Sequence, residues 1–240
     1  MGLLLQVIFD AAALGSLYAL AALGIALIFG VMKLVNFAHG DVFMISCFIA
    51  LIVFMLVTAV VGFSTAAIIL ALFTMLIVGM AITGLWNWTV ERVAYRPLSG
   101  SFRLAPLISA IGVSIFLMNL VQVIQGPRNK SVPPMLTEKI CLIGPSNDRQ
   151  SCLFNQATTY QVEIAYKQVV IIGVTAILLL GFWYLVQKTP LGRAQRACEQ
   201  DRKMASLLGI NVDRTVSLTF VMGAALAAVA GVMYIMLYGV

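Results

Sequence analysis

Residues 7–31 read VIFDAAALGSLYALAALGIALIFGV, a stretch of twenty-five positions with a single charge, Asp10. A helix crossing a bilayer needs about 20 predominantly apolar residues. A barrel strand would instead alternate over about ten residues between turns. This run is unbroken, so it reads as a spanning helix, with Asp10 near its outer end. Five more stretches qualify, at 42–62, 65–86, 104–125, 166–187 and 216–238. The whole chain agrees: 62% of its residues are hydrophobic, 10% are charged, and the mean hydropathy is +1.03. A soluble domain is closer to half apolar and roughly a quarter charged. The fold class is therefore an all-α polytopic membrane protein with about six transmembrane helices.

Orientation follows from Lys and Arg, which concentrate in the connections kept inside. Arg92, Arg96 and Arg103 lie between the third and fourth runs, and Lys188, Arg193, Arg196, Arg202, Lys203 and Arg214 between the fifth and sixth. Placing both connections inside also puts Lys33 there and the N-terminus outside. The net charge of +6 is then read as a cytoplasmic loop bias, and no nucleic acid is expected. MGLLLQVIFD has no basic n-region, so no cleavable signal is expected either.

The outer connection 126–165 begins GPRNKSVPPMLTEKICLIGPSNDRQSCLFNQ, the composition of an irregular loop. Cys141 and Cys152 both fall in it, on the side that would be oxidising if the membrane is a bacterial inner membrane. Whether they form a disulfide depends on a Cα separation that sequence leaves open. Cys47 and Cys198 read as unpaired packing residues. No Cys/His spacing suits a metal, and no cofactor is expected.

The inner connection 188–215 contains TPLGRAQRACEQDRKMASLLGINVDRT (189–215). Pro190 and Gly192 separate it from the preceding span. From Arg193 to Leu208 good helix formers predict one amphipathic helix, with Gly209 as its stop. Ala194, Ala197, Met204, Leu207 and Leu208 make its apolar side. Such a helix either lies on lipid head groups or docks into a soluble partner.

RACEQDRKMASLLGINVDR (196–214) resembles the cytoplasmic loop of permeases from branched-chain amino acid ABC importers of the LivH/LivM type. ERVAYRPL (91–98), LISAIGVSIFLMN (107–119) and GSLYALAALGIALIFGVMKLVNFAHGD (15–41) resemble the same family in the same order, with LivH the closer through NFAHGD and KMASLLGIN. The resemblance implies that 1–240 is an ABC transporter permease transmembrane domain in the bacterial inner membrane. Its implied partners are a second homologous permease, two cytoplasmic ATP-binding subunits and a periplasmic amino acid-binding protein, with membrane lipid around it. The implied substrate is leucine, isoleucine or valine. Residues 193–209 would contact an ATPase, with Arg193, Arg196, Glu199 and Arg202 as polar contacts and Gly209 ending the helix. Family chains continue beyond the point matching Val240, so the C-terminal part of the bundle is expected to be missing. No G-x-x-x-x-G-K-[ST] pattern occurs, so ATP hydrolysis is expected on the separate subunits and the chain is not expected to be an enzyme. Permeases for urea or short amides, a gradient-driven carrier using Asp10 or Asp41, and a membrane enzyme built on His39 and Asp41 are the alternatives weighed against this.

Polar residues within or between spans are the remaining candidates. VNFAHGD (35–41) holds the chain's one histidine, His39, with Asn36 and Asp41. Gly40 permits a sharp turn there, and Asp41 suits the N-terminus of the next helix. Two readings stand: a turn folded back to shape the cytoplasmic gate, and a plain interfacial turn. On the fourth run Asn119, Gln122 and Gln125 share a face. They either line a path, Asn119 above all, or bond to neighbouring helices. In the sixth run Gly223, Ala227 and Gly231 form a seam for close helix approach.

Overall fold

The computed structural model describes residues 2–33, 36–62, 64–98, 104–126, 128, 130, 139–144, 154–155 and 162–239. The helices are α1 (Gly2–Met32), α2 (Ala38–Val61), α3 (Thr65–Val90), α4 (Leu104–Gln125), α5 (Tyr166–Lys188), α6 (Pro190–Gln200), α7 (Arg202–Leu207) and α8 (Val212–Tyr238). Six are long and apolar enough to cross a membrane, and they match the six predicted runs in order. Four ends are displaced by four residues or more, with α1 beginning at Gly2 and α8 at Val212. α2 begins at Ala38, before the apolar run, and α3 continues past residue 86 into a π-turn (Glu91–Tyr95) and a 3₁₀ turn (Arg96–Leu98).

α8 is the centre of the bundle, mostly buried and packed against α1, α2 and α3. α5 lies against α1, and α4 against α2 and the π-turn. The small residues of α8 explain its place. A Cβ built on Gly223 would stand 3.3 Å from the Gly24 carbonyl of α1, and one on Gly231 would meet the Ser46 hydroxyl and stand 3.2 Å from the Cys47 nitrogen of α2. Ser46 uses that proximity to donate to the Ala227 carbonyl at 3.1 Å, a bond between spans of the kind that offsets polar burial in lipid. Of the small residues in α1, Gly24 and Gly30 serve close approach, while Gly15 faces open space.

The connection 126–165 is not wholly irregular. β1 (Lys139–Gly144) pairs in parallel with β2 (Phe154–Asn155) and antiparallel with β3 (Val162–Ala165), giving the order β2-β1-β3. Cys141 sits opposite Glu163 in that register, beside a bulge. Cys152 lies outside the described residues, as do Arg103 and most of this connection. Where the chain re-enters the bundle, Gln168 of α5 donates to Asp10 of α1 at 2.5 Å, which ties these two spans at the sheet end. At the opposite end lie Lys33, Arg96, α6 and α7, and we call it the basic end.

Candidate functional site

The polar stretch between α1 and α2 is folded into the bundle. Asn36 is buried, and its Oδ1 accepts from the Ala38 N–H at 3.1 Å and from the Tyr95 hydroxyl at 2.6 Å. Its carbonyl accepts from the His39 N–H at 3.2 Å. Asn36 therefore supplies the turn that launches α2, an Asx turn by its bond to the backbone two residues on. Asp41 takes the expected place near the start of α2 without capping it. Asp41 is buried in the first turn of α2, where the helix dipole favours it, but its carboxylate has no hydrogen bond among the described residues.

His39 is 1% exposed, and neither ring nitrogen has a hydrogen-bond partner. The ring occupies the space left by Gly24: a Cβ there would stand 2.6 Å from Nε2 and 3.2 Å from the Gly223 carbonyl. The imidazole is thus lodged where α1 and α8 cross. Its depth follows from α8. Asp213 pairs with Arg96 at the basic end, and Gly223 lies ten residues along, roughly 15 Å at the helical rise. A buried polar group without a partner costs about 1–3 kcal/mol, so this arrangement is an expensive one.

Asn119 is not part of this cluster. It is exposed on α4, and its Nδ2 donates back to the Ile115 carbonyl at 2.7 Å. Gln122 is exposed beside it, and Gln125 accepts from Lys130. Asn119 therefore turns away from the bundle, since Pro106, Ala110 and Leu117 take the buried side, while Gln122 lines a cavity of about 400 Å³ with Phe43, Cys47 and Leu51 of α2 and Tyr234 of α8.

ERVAYRPL joins α3 to α8. The Arg96 N–H reaches the Glu91 carbonyl five residues back, the spacing of a π-turn. Asn87 donates to the Phe220 carbonyl at 2.7 Å, and Ser217 donates to Glu91 Oε2 at 2.7 Å. Tyr95 stacks on Phe220 with ring centroids 5.4 Å apart. These inward groups were missed in the sequence because counting apolar residues ends α3 at 86, although Asn87, Glu91 and Tyr95 recur at four-residue spacing on one helical face.

The inner connection departs from the prediction of one helix. The chain is extended at Asp201 (φ −150°, ψ 114°), which divides α6 from α7. The Asp201 side chain accepts from the Lys203 N–H at 2.8 Å and the Met204 N–H at 3.3 Å, so it caps α7. α6 starts on a Thr189 cap with Pro190 in its first turn, a position where the missing N–H costs nothing. Gly192 lets α6 fold onto the end of α5, since a Cβ there would collide with the Val186 backbone. Gly209 has φ +83°, as the predicted helix stop requires.

The charged candidates of this connection do not act alike. Arg193 is exposed. Arg196 donates to Gln187 Oε1 at 2.8 Å, at the end of the preceding helix α5. Glu199 accepts from Gln195 at 3.3 Å and fills the notch at Gly30, where a Cβ would stand 2.6 Å from its Oε1. Arg202 turns to α1: Nε donates to the Val31 carbonyl at 2.9 Å, and Nη2 donates to the same oxygen. That carbonyl belongs to the last turn of α1, whose acceptors have no intrahelical donor. α1 ends just beyond it at Lys33, which has φ +57°. The outward surface belongs instead to Met204, Leu207 and Leu208, which are 60%, 80% and 79% exposed. Sequence reading marks them as the apolar side of a helix, and the break at Asp201 turns that side away from the bundle. Cys198 is buried in α6 as a free thiol, and burial pushes its pKa up, which suits packing.

Comparison with known proteins gives a consistent result. The family described as "Branched-chain amino acid transport system / permease component" matches residues 7–240. The chain is 42% identical over 236 residues to the high-affinity branched-chain amino acid transport system permease protein BraD of Pseudomonas aeruginosa, covering 98% of this chain and 72% of that one. It is 41% identical over 238 residues to the permease protein LivH of Salmonella typhimurium and 40% identical over 238 to that of Escherichia coli K12, with the same coverage. No solved structure gives a significant match.

Proposed function

Because the chain belongs to the branched-chain amino acid transport permease family, we propose that it is the membrane-spanning subunit of an ATP-driven importer. Its substrates are leucine, isoleucine and valine, and its place is the bacterial inner membrane with the basic end inside. It works with a second homologous permease, two ATP-binding subunits and a periplasmic binding protein. The ATPase docks on the inner connection, and one observation carries that assignment: the apolar ridge of Met204, Leu207 and Leu208 stands clear of the bundle, with exposed Arg193 on the neighbouring helix. Contiguous exposed apolar side chains mark interaction surfaces.

The test is reconstitution of the complete transporter in proteoliposomes. ATP-dependent accumulation of leucine, isoleucine and valine is expected. Preference for urea or short amides over leucine overturns the substrate. Uptake that needs no ATP and collapses with a protonophore overturns the importer and points to a gradient-driven carrier.

In this importer Asn36, His39 and Asp41 form the inner gate. The support is the unpartnered imidazole lodged between Gly24 and Gly223, which gains a partner only when α1 and α8 separate. Asn119 faces outward on α4 and takes no part in that gate. His39→Ala and Asp41→Ala, each in the complete transporter, are expected to change leucine uptake by about tenfold, since a shift of one to two kcal/mol between gate states has that effect. Wild-type rates in both variants remove the gate role.

A further inference from the structure

A small cavity of about 140 Å³ lies at the basic end, between the end of α1, the π-turn, α7 and the start of α8. Its walls are unusual in carrying both charge signs beside apolar side chains. Glu91 contributes a carboxylate that is only 2% exposed. Its Oε2 is bonded to the Ser217 hydroxyl, and its nearest cation in the cavity wall, the Arg96 guanidinium, forms its salt bridge with Asp213 and attracts Glu91 only at longer range. Two carboxylates, Glu91 and Asp213, therefore share one guanidinium on this side of the cavity, and an ammonium group beside the buried Glu91 would balance the second. Across the cavity stands Arg202. Its Nε and Nη2 are used on the Val31 carbonyl and its Nη2 also lies against the Met32 sulfur, which leaves Nη1 without a partner among the described residues. Met32, Val212 and Val216 line the rest. Asp213, at the rim, is neutralised by Arg96.

We propose that this cavity is a product-side binding site for a zwitterionic aliphatic α-amino acid, through which imported substrate slows the transporter. The ammonium faces Glu91, the carboxylate faces Arg202, and the aliphatic side chain lies on Met32, Val212 and Val216. At about 140 Å³ the cavity is far smaller than a peptide or nucleotide needs. The occupant would bridge α7 to the π-turn and α8 beside the joint that Arg202 makes with α1. It would thereby hold the inner connection in one position. This inference rests on the importer reading above and on the basic end facing the cytoplasm.

The experiment uses the complete transporter in proteoliposomes, with labelled leucine and binding protein outside and ATP inside. Unlabelled leucine or valine loaded inside is expected to lower the initial uptake rate severalfold. Internal 4-methylpentanoate, which lacks the ammonium, and internal 3-methylbutylamine, which lacks the carboxylate, are expected to leave it unchanged. Glu91→Gln keeps the acceptor for Ser217 but removes the charge, so about tenfold more internal leucine should be needed, the usual scale for one charged hydrogen bond. Val216→Phe fills the cavity and should abolish inhibition. Uptake that ignores internal leucine overturns the site and leaves the importer standing, whereas absence of any uptake overturns both. Equal inhibition by either single-charge analogue overturns the zwitterion assignment. Wild-type inhibition in both Glu91→Gln and Val216→Phe overturns the location.

Discussion

Exchanging Leu207 and Leu208 together for Asp is expected to abolish capture of the ATP-binding subunits while the bundle stays folded. Both side chains are about four-fifths exposed, so nothing in the bundle depends on their packing. Burying a leucine side chain contributes about 1.5–3 kcal/mol. Losing two of them corresponds to about a hundredfold or more in affinity, before the cost of placing two carboxylates in an apolar groove is added. Asp201 still caps α7 in the variant and Gly209 still ends it, so the helix itself should persist. Co-purification of the ATPase with the permease reads the first effect, and the thermal midpoint in detergent reads the second. Wild-type capture by a folded double variant removes the ridge as the docking surface. Capture lost only on exchange of Arg193 would transfer the role to the charged rim.

The contrast between what was legible in the sequence and what was not has a physical basis. Spanning helices announce themselves because lipid demands length and hydropathy, and both are sums over residues. The seam Gly223–Ala227–Gly231 was legible for the same kind of reason, since small residues at four-residue steps leave a groove whatever helix fills it. Partner choice was not legible. Asn36 and Asp41 were both reasonable for starting α2, and the hydroxyl of Tyr95, fifty-nine residues away in the chain, decides for Asn36. The extension of α3 into a π-turn depends likewise on Phe220 and Ser217, which Asn87 and Glu91 reach across the helix interface. α4 shows the limit most clearly: Asn119 and Gln122 were read on one face, but periodicity does not tell that the first faces outward and the second lines a cavity against α2 and α8. Strands in the outer connection were masked by its Pro, Ser and Asn content, although KICLIG and VEIA are short apolar runs of the kind that pair.

Arg202 leads to an outcome opposite to that of the leucine pair. As an exposed contact, its loss would weaken ATPase binding. As a donor to the Val31 carbonyl, its loss should leave binding intact and cut transport. The geometry favours the second: two guanidinium nitrogens converge on the Val31 carbonyl in the last turn of α1, and Glu199 seats in the notch of the adjacent Gly30. α6 and α7 are thereby fixed to the end of the helix that holds His39 against Gly24, so movement imposed on α7 is passed to the deep polar turn through α1. Arg202→Ala breaks that joint and leaves the Leu207 and Leu208 surface unchanged. Uptake is therefore expected to fall at least about tenfold, the scale of a lost charge-assisted hydrogen bond, with ATPase co-purification at wild-type level and ATP hydrolysis continuing without leucine accumulation. Arg202→Lys keeps the charge but not the fork of donors, so its uptake should lie between the two. Arg196→Ala, which removes only an exposed bond from α6 to Gln187 at the adjoining end of α5, should transport nearly as wild type. ATPase capture lost in Arg202→Ala would return Arg202 to the docking surface. Unchanged uptake would mean that movement of α7 reaches the bundle by another route, through Glu199 at Gly30, the packing of α6 and α7 on α8, or the joint between α5 and α6.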